Sequence, residues 1–261
     1  RNGHFLSSTI VEDRLYYIHH SSNGGYMTTF DLDKHTWRLL QNEPFFAALS
    51  RRIHKTATTA IPTAGVKLNP ETAQFEMIYN PDFFESLDDN HKLGVLMHEY
   101  YHIIFEHVTG RLPPEGMNIM WNIATDLAIN SHLKGKLPDM CCMPGEDRFA
   151  DYPAGKSAEW YYSKLLKEQQ EQDQDGEGQG GDDGGQGSGS GDLADHQFDN
   201  HDGWGEADED TKQMAKERLR QAVEDSAKEA QNKGSWGTMS SDMRRKIMDM
   251  ITPKVDWRKV L

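Results

Sequence analysis

Residues 96–104 read LMHEYYHII, and this stretch predicts the central helix of the fold. Apolar residues recur around it with helical spacing when Tyr100 and His107 are counted as partly apolar. Asp88, Asp89 and Asn90 lie just upstream and provide N-cap candidates. The pattern therefore predicts a mostly buried helix from about residue 90 to 108. The apolar positions are 93, 96, 97, 100, 103, 104 and 107.

Within this helix the letters form the motif H-E-x-x-H. His98 and His102 are four residues apart, so on a helix they share one face and can bind one divalent ion. Glu99 follows the first histidine, and its carboxylate can reach a metal-bound water without binding the metal. A chance match in a chain this rich in histidine has a probability of about 4 in 100. Two histidines and an acid are also poorly explained as ordinary core residues of a buried helix.

The third metal ligand is expected from a second predicted helix at 119–130. Asn122, Asp126 and Asn130 are spaced four apart and form one polar face on it. Such a face is costly to bury unless a metal ion and hydrogen bonds to its ligands compensate. We predict Asp126 as the third ligand, with Asn122 and Asn130 supporting the ligands. The alternative is that Asp126 caps a loop or pairs with Arg111.

Two residues closer to the motif compete for this role. Glu106 lies on the His102 face one turn further along, so we expect it to orient a ligand histidine. His107 misses the extended H-E-x-x-H-x-x-G-x-x-H spacing, which requires a histidine where this chain has Val108. The metzincin pattern is therefore excluded.

Taken together, these motifs resemble those of the proposed metallopeptidases of bacteria and phages that carry a C-terminal von Willebrand A-like domain. The similarity covers about residues 40–261, and the two helical motifs are its most specific part. The segments that carry it are IPTAGV (61–66), YNPDFF (79–84), HEYYH (98–102), WNIATDLAIN (121–130), GKSAEWYY (155–162) and HDGW (201–204).

The resemblance implies a gluzincin-like zincin that binds one zinc ion. Carried onto this chain, the zinc ligands are His98, His102 and Asp126, and the base is Glu99. The implied fold is α+β, with a small antiparallel or mixed sheet beside the motif helix and a mostly helical C-terminal part. The resemblance also implies an MoxR-type AAA+ ATPase as a partner.

Charge is unevenly distributed along the chain. The net charge is −14, but residues 168–210 contain 15 acidic and no basic side chains, which leaves 27 acidic against 28 basic residues elsewhere. A nearly neutral remainder without a basic stripe argues against nucleic-acid binding.

No apolar run approaches the roughly 20 residues needed to span a bilayer, and no signal-peptide pattern is present. Cys141 and Cys142 are adjacent and poorly placed for a structural disulfide, so we expect a cytoplasmic protein without membrane contacts.

Four segments are expected. Residues 1–38 are predicted to be a β-rich extension with a hairpin around Asn23-Gly24-Gly25, and residues 39–167 the zincin-like catalytic domain. The acidic, glycine-rich segment 168–205 is predicted to be a disordered linker. Residues 206–261 are predicted to be helical, leading towards a von Willebrand A-like domain that these residues do not include.

Strand signals precede the motif helix at residues 63–68 and 75–79, and they flank a turn. We expect the strand at 75–79 to present an open edge along the cleft. An extended peptide could then add to this edge as a further strand.

Two functions remain open from the sequence. The first is a zinc endopeptidase in which Glu99 is the general base and Tyr100, Tyr101 or His201 stabilises the oxyanion. The second is a non-catalytic or latent zinc-containing module that acts with the AAA+ ATPase. A fourth protein ligand would favour the second function, and an open ligand position would favour the first.

Overall fold

The computed structural model describes residues 6–11, 14–20, 26–114, 116–176 and 207–252. It has a mixed α+β architecture with mostly helical content. Two three-stranded sheets come from the first 79 residues, and helices provide most of the remainder.

The first sheet comprises β1 (Leu6–Val11), β2 (Arg14–His20) and β3 (Tyr26–Thr29), all antiparallel to their neighbours. The pairing of β2 with β3 agrees with the predicted hairpin, although its turn lies outside the described residues. The predicted extension is not β-rich to its end, because α1 occupies Leu32–Leu40. Asp31 caps this helix, whose Leu32 and Leu40 are buried.

The second sheet corrects the prediction of an open edge. It contains β4 (His54–Ala57), β5 (Ala64–Asn69) and β6 (Gln74–Tyr79) in the order β4-β6-β5. β6 is therefore the central strand, parallel to β4 and antiparallel to β5. The missed strand, β4, has only four residues, of which Lys55 alone is buried, so it lacks the apolar alternation by which a strand is recognised.

The motif helix follows α2 (Pro44–Ser50) and α3 (Pro81–Ser86) and is named α4 (Asp89–Ile104). The carboxylate of Asp88 accepts the backbone N–H of His91 and caps its start. α4 ends four residues before the predicted position. Glu106 takes a left-handed conformation with φ of 58°, which is incompatible with further helix.

The second predicted helix is present as α5 (Ile119–Asn130), capped by Asn118. Next comes a short 3₁₀ turn at Asp147–Phe149, and then α6 (Ala158–Gly176), which packs on α5. α6 continues beyond residue 168, so the predicted linker cannot begin there. The remainder of that linker, from residue 177, lies outside the described residues.

Two helices lie within the C-terminal segment that was predicted to be helical: α7 (Glu209–Asn232) and α8 (Ser241–Ile251). They are not a separate appendage, because Leu219, Val223 and Ile247 belong to the same apolar core as the motif helix. Burial of aliphatic side chains at about 25 cal/mol per Å² makes this contact a substantial contribution to stability. Within the described part of the chain, no helix is both long and apolar enough to cross a membrane.

Polar contacts reinforce the attachment of these helices. Arg51 at the end of α2 forms an ion pair with Glu229 of α7 at 2.6 Å. Glu43 is almost completely buried and accepts the backbone N–H of Thr238 at 2.9 Å. Gly237 leaves room for this carboxylate, because a Cβ at that position would lie 2.0 Å from its oxygen.

Candidate metal centre

His98, His102 and Asp126 converge on one point between α4 and α5. The Nε2 atoms of the two histidines are 3.0 Å apart. Asp126 Oδ1 lies 3.2 Å from His102 Nε2 and 3.7 Å from His98 Nε2. All three side chains are completely buried, and together they form a group able to bind a metal ion.

The spacing of these atoms fits a small tetrahedral ion. Ligand atoms bonded about 2.0–2.1 Å from zinc with tetrahedral angles are separated by roughly 3.3 Å. The three observed separations, 3.0, 3.2 and 3.7 Å, bracket this value. A buried carboxylate next to two imidazole nitrogens is also costly unless a cation balances its charge. The residues present therefore fit a bound divalent cation.

Asn130 determines which nitrogen of His98 faces this point. Its Nδ2 donates to the backbone carbonyl of Cys142 at 2.8 Å, so its Oδ1 must be the atom 2.7 Å from His98 Nδ1. Nδ1 of His98 is then the protonated nitrogen and donates to this oxygen. Neutral His98 consequently presents the Nε2 lone pair towards Asp126. This arrangement supports the predicted role of Asn130.

His107 makes the corresponding contact with His102. The two Nδ1 atoms are 3.2 Å apart, and His107 packs edge-on against Trp121. The left-handed backbone of Glu106 turns the chain back, so that the His107 N–H donates to the His102 carbonyl at 3.0 Å. The carboxylate of Glu106, which we expected to orient a histidine, lies 3.5 Å from Lys216 Nζ instead.

The alternative pairing of Asp126 with Arg111 is excluded. Arg111 forms a bidentate ion pair with Glu159 of α6, in which Nη2 of Arg111 lies 2.7 Å from Oε2 of Glu159. Its Nε also donates to Oε1 at 2.9 Å. This guanidinium lowers the pKa of Glu159, against the opposing effect of burial. Asp126 is therefore available to the histidines.

Glu99 is completely buried beside His98 on α4 and does not belong to the ligand group. This is the place the sequence motif gives to a general base. The two tyrosines that follow were proposed as oxyanion partners, but the structure places both in the apolar core. Tyr100 is hydrogen-bonded to Ser50 at 2.7 Å, and Tyr101 packs edge-on against Phe46.

Burial raises the pKa of both tyrosines well above the usual range, so both hydroxyls stay protonated. Both side chains pack against α2 in the apolar core, and they are not placed to bind an oxyanion. The third proposed partner, His201, lies outside the described residues. Asn122, the other residue expected to support the ligands, is buried without a hydrogen bond to any described residue.

Two supporting features were not predicted as such. Gly94 lets α4 approach the loop after α5, because a Cβ there would lie 1.8 Å from the Lys136 carbonyl oxygen. His107 was considered as a partly apolar helix position and as a metal ligand, but not as the partner of His102 that it is in the structure. A glycine inside a strongly predicted helix is the one sequence signal that could have indicated the first feature.

Two imidazoles and one carboxylate suit zinc, and the same donors also occur at mononuclear iron(II) sites. Two further features accompany these donors. Both histidines come from one turn of one helix, and an acid that does not bind the metal adjoins the first. The described residues therefore combine three potential metal ligands with an adjacent buried acid.

Comparison with known protein families matches residues 28–261 to a family described as a putative metallopeptidase domain. The match covers most of the chain, including both helices of the metal centre. No curated protein and no solved structure matches the chain.

Proposed function

Because the chain belongs to this putative metallopeptidase domain family, we propose that it is a zinc-dependent peptidase that hydrolyses peptide bonds with Glu99 as general base. The observation that carries the proposal is the convergence of His98, His102 and Asp126 within bonding range of one ion. The adjacent acid distinguishes this centre from a simple structural site, which has no need of a base.

When bound, zinc would polarise the scissile carbonyl and make an adjacent water more acidic. Glu99 would accept the proton of that water and transfer it to the leaving amine. Asn130 keeps His98 in the tautomer that can bind metal, and His107 performs the same function for His102 when its Nδ1 accepts the Nδ1–H of His102. The buried surroundings exclude bulk water and strengthen these electrostatic contacts.

The decisive experiment separates metal binding from catalysis. In Glu99→Gln, zinc content should be unchanged, while cleavage of a labelled, unfolded protein such as casein should fall by about 100-fold or more. In Asp126→Ala, both zinc and cleavage should be lost. The exposed Glu85→Gln serves as a matched control and should behave as wild type. Retained cleavage by Glu99→Gln would refute the proposed base.

A latent or non-catalytic zinc module that works with an MoxR-type AAA+ ATPase is the second candidate. It is favoured by the complete burial of His98, Glu99, His102 and Asp126. In the described part of the chain, however, the metal group contains only three histidine, cysteine or acidic side chains. X-ray absorption on the zinc-loaded protein tests this candidate. Four protein ligands would favour the module, and three with one water would favour the enzyme.

A cytoplasmic location is part of this proposal. Cys141 and Cys142 are both buried and are not joined in a disulfide, as expected in a reducing compartment.

A further inference from the structure

The contacts between α4 and α5 define an antiparallel register around the metal centre. His98 contacts Asn130, His102 contacts Asp126, and His107 contacts Trp121. The start of α5 therefore lies near the end of α4. Asn122 is one turn before Asp126 on the same face of α5. This register directs Asn122 towards the end of α4, on the Trp121 side of Asp126.

The side-chain amide of Asn122 is completely buried, yet neither Nδ2 nor Oδ1 has a hydrogen-bond partner among the described residues. The indole Nε1 of the neighbouring Trp121 is likewise buried without one in that part of the chain. Burying such groups unsatisfied costs about 1–3 kcal/mol each, and native proteins rarely do so. The first turn of α5 thus presents unsatisfied polar groups beside a metal centre.

Asn130 shows that Asn122 does not simply repeat a supporting role. Both are asparagines on the same face of one helix, two turns apart. Asn130 uses both ends of its amide, one on His98 and one on Cys142. Asn122 makes neither kind of contact. Asn122 therefore does not orient a histidine in the way that Asn130 does.

We infer that Asn122 binds the main chain of a peptide substrate next to the metal. A carboxamide offers an N–H donor and a C=O acceptor side by side, which is the complement of a peptide group. An extended peptide in the centre would satisfy both atoms, whereas a single anion or cation would satisfy only one. This inference rests on the proposed peptidase function, and it names the main chain as the part of the substrate that is recognised at this position.

The test compares two inhibitors that bind zinc through the same hydroxamate group. Acetohydroxamate has no peptide groups, whereas N-acetyl-trialanine hydroxamate carries a peptide main chain. Affinities for both are measured by calorimetry on zinc-loaded wild type, Asn122→Ala and the more conservative Asn122→Ser. Zinc affinity is measured for each variant as a readout that needs no catalysis. Asn130→Ala, on the same face of α5, is the matched control.

Asn122→Ala should bind the peptidyl hydroxamate about 10- to 100-fold more weakly, the effect of losing one or two hydrogen bonds. Its affinities for acetohydroxamate and for zinc should be unchanged. Asn122→Ser, which keeps a smaller polar group at this position, should show the same selective loss. Asn130→Ala should show the opposite pattern, with weakened zinc binding.

Equal losses for both inhibitors, or a loss of zinc affinity in the Asn122 variants, would overturn the inference and show a structural or metal-supporting role. So would unchanged binding of the peptidyl inhibitor. These outcomes leave the peptidase proposal intact, because wild type would still distinguish the two hydroxamates. Failure of zinc-loaded wild type to bind the peptidyl hydroxamate more tightly than acetohydroxamate would instead contradict both proposals.

Discussion

Asn130 Oδ1 lies 2.7 Å from His98 Nδ1, and this hydrogen bond leaves the Nε2 atom of the histidine to face the candidate metal centre. The asparagine is fixed in turn by the Cys142 carbonyl. α5 therefore provides both a proposed ligand, Asp126, and the group that orients a proposed ligand from α4. The centre is a property of the interface between two helices and cannot form from either one alone.

We predict that Asn130→Ala lowers zinc affinity by about 10- to 100-fold, because His98 loses the partner that fixes its ring. The variant should also be less stable by about 2–4 kcal/mol, since the His98 N–H and the Cys142 carbonyl become unsatisfied in the core. Competition with a zinc chelator measures the first effect, and urea unfolding of the zinc-free protein measures the second.

The neighbouring Ser131→Ala is the control for Asn130. The Ser131 hydroxyl donates only to the Ala128 carbonyl within its own helix. Its removal should leave zinc affinity at the wild-type level. An Asn130→Ala variant with wild-type zinc affinity would show that His98 is oriented by packing alone.

We further predict that His107→Phe lowers zinc affinity by about tenfold or more, because His102 loses the nitrogen 3.2 Å from its Nδ1. The phenyl ring retains the edge contact with Trp121, so the thermal midpoint of the zinc-free protein should change little. The comparison of chelator competition with thermal unfolding separates the two effects. Unchanged zinc affinity would contradict a role for His107 in orienting His102.

Gly94 provides a prediction about the position of α4. In Gly94→Ala the new Cβ would lie 1.8 Å from the Lys136 carbonyl oxygen, which is backbone and cannot swing aside. The variant should lose about 1–3 kcal/mol from overpacking, although alanine has better helix propensity by about 1 kcal/mol. Urea unfolding measures this loss.

Gly110→Ala is the matched control for Gly94. Its Cβ would meet the end of the Lys216 side chain at 2.5 Å, and that flexible chain can move. Little change in unfolding free energy is expected there. If Gly94→Ala proved as stable as wild type, the approach of α4 to the loop after α5 would be adjustable.

The metal centre was largely predictable because its signals are local. The spacing of His98 and His102 depends only on helix geometry, and so does the polar face that contains Asp126. Both helices are recognised by their apolar periodicity. Because buried polar groups must be compensated, the histidine face of α4 and the polar face of α5 are expected to pack against each other. The structure places the three predicted ligands within bonding range of one ion.

The errors arise where sequence-distant segments decide the structure. β6 became a central strand because β4, a short segment 20 residues earlier, pairs with it. The Tyr100 hydroxyl could not be excluded as an oxyanion partner without knowing that it would bond to Ser50. The role of His107 depends on the left-handed turn at Glu106, a conformation that glutamate rarely adopts and that no local pattern predicts.

The last prediction concerns acid sensitivity at His132, which follows α5. Burial, with a contribution from Lys246 of α8, lowers the pKa of His132 from 6.5 to about 4. Between these values the unfolded chain binds a proton that the folded protein does not, so stability falls as pH decreases from about 6.5 to about 4.

His132→Gln should reduce this fall by about 2 kcal/mol, allowing for partial exposure of the ring. Urea unfolding of zinc-free protein at about pH 7 and about pH 4.5 measures it, with the exposed His54→Gln as control. Parallel stability curves for wild type and His132→Gln would contradict the prediction.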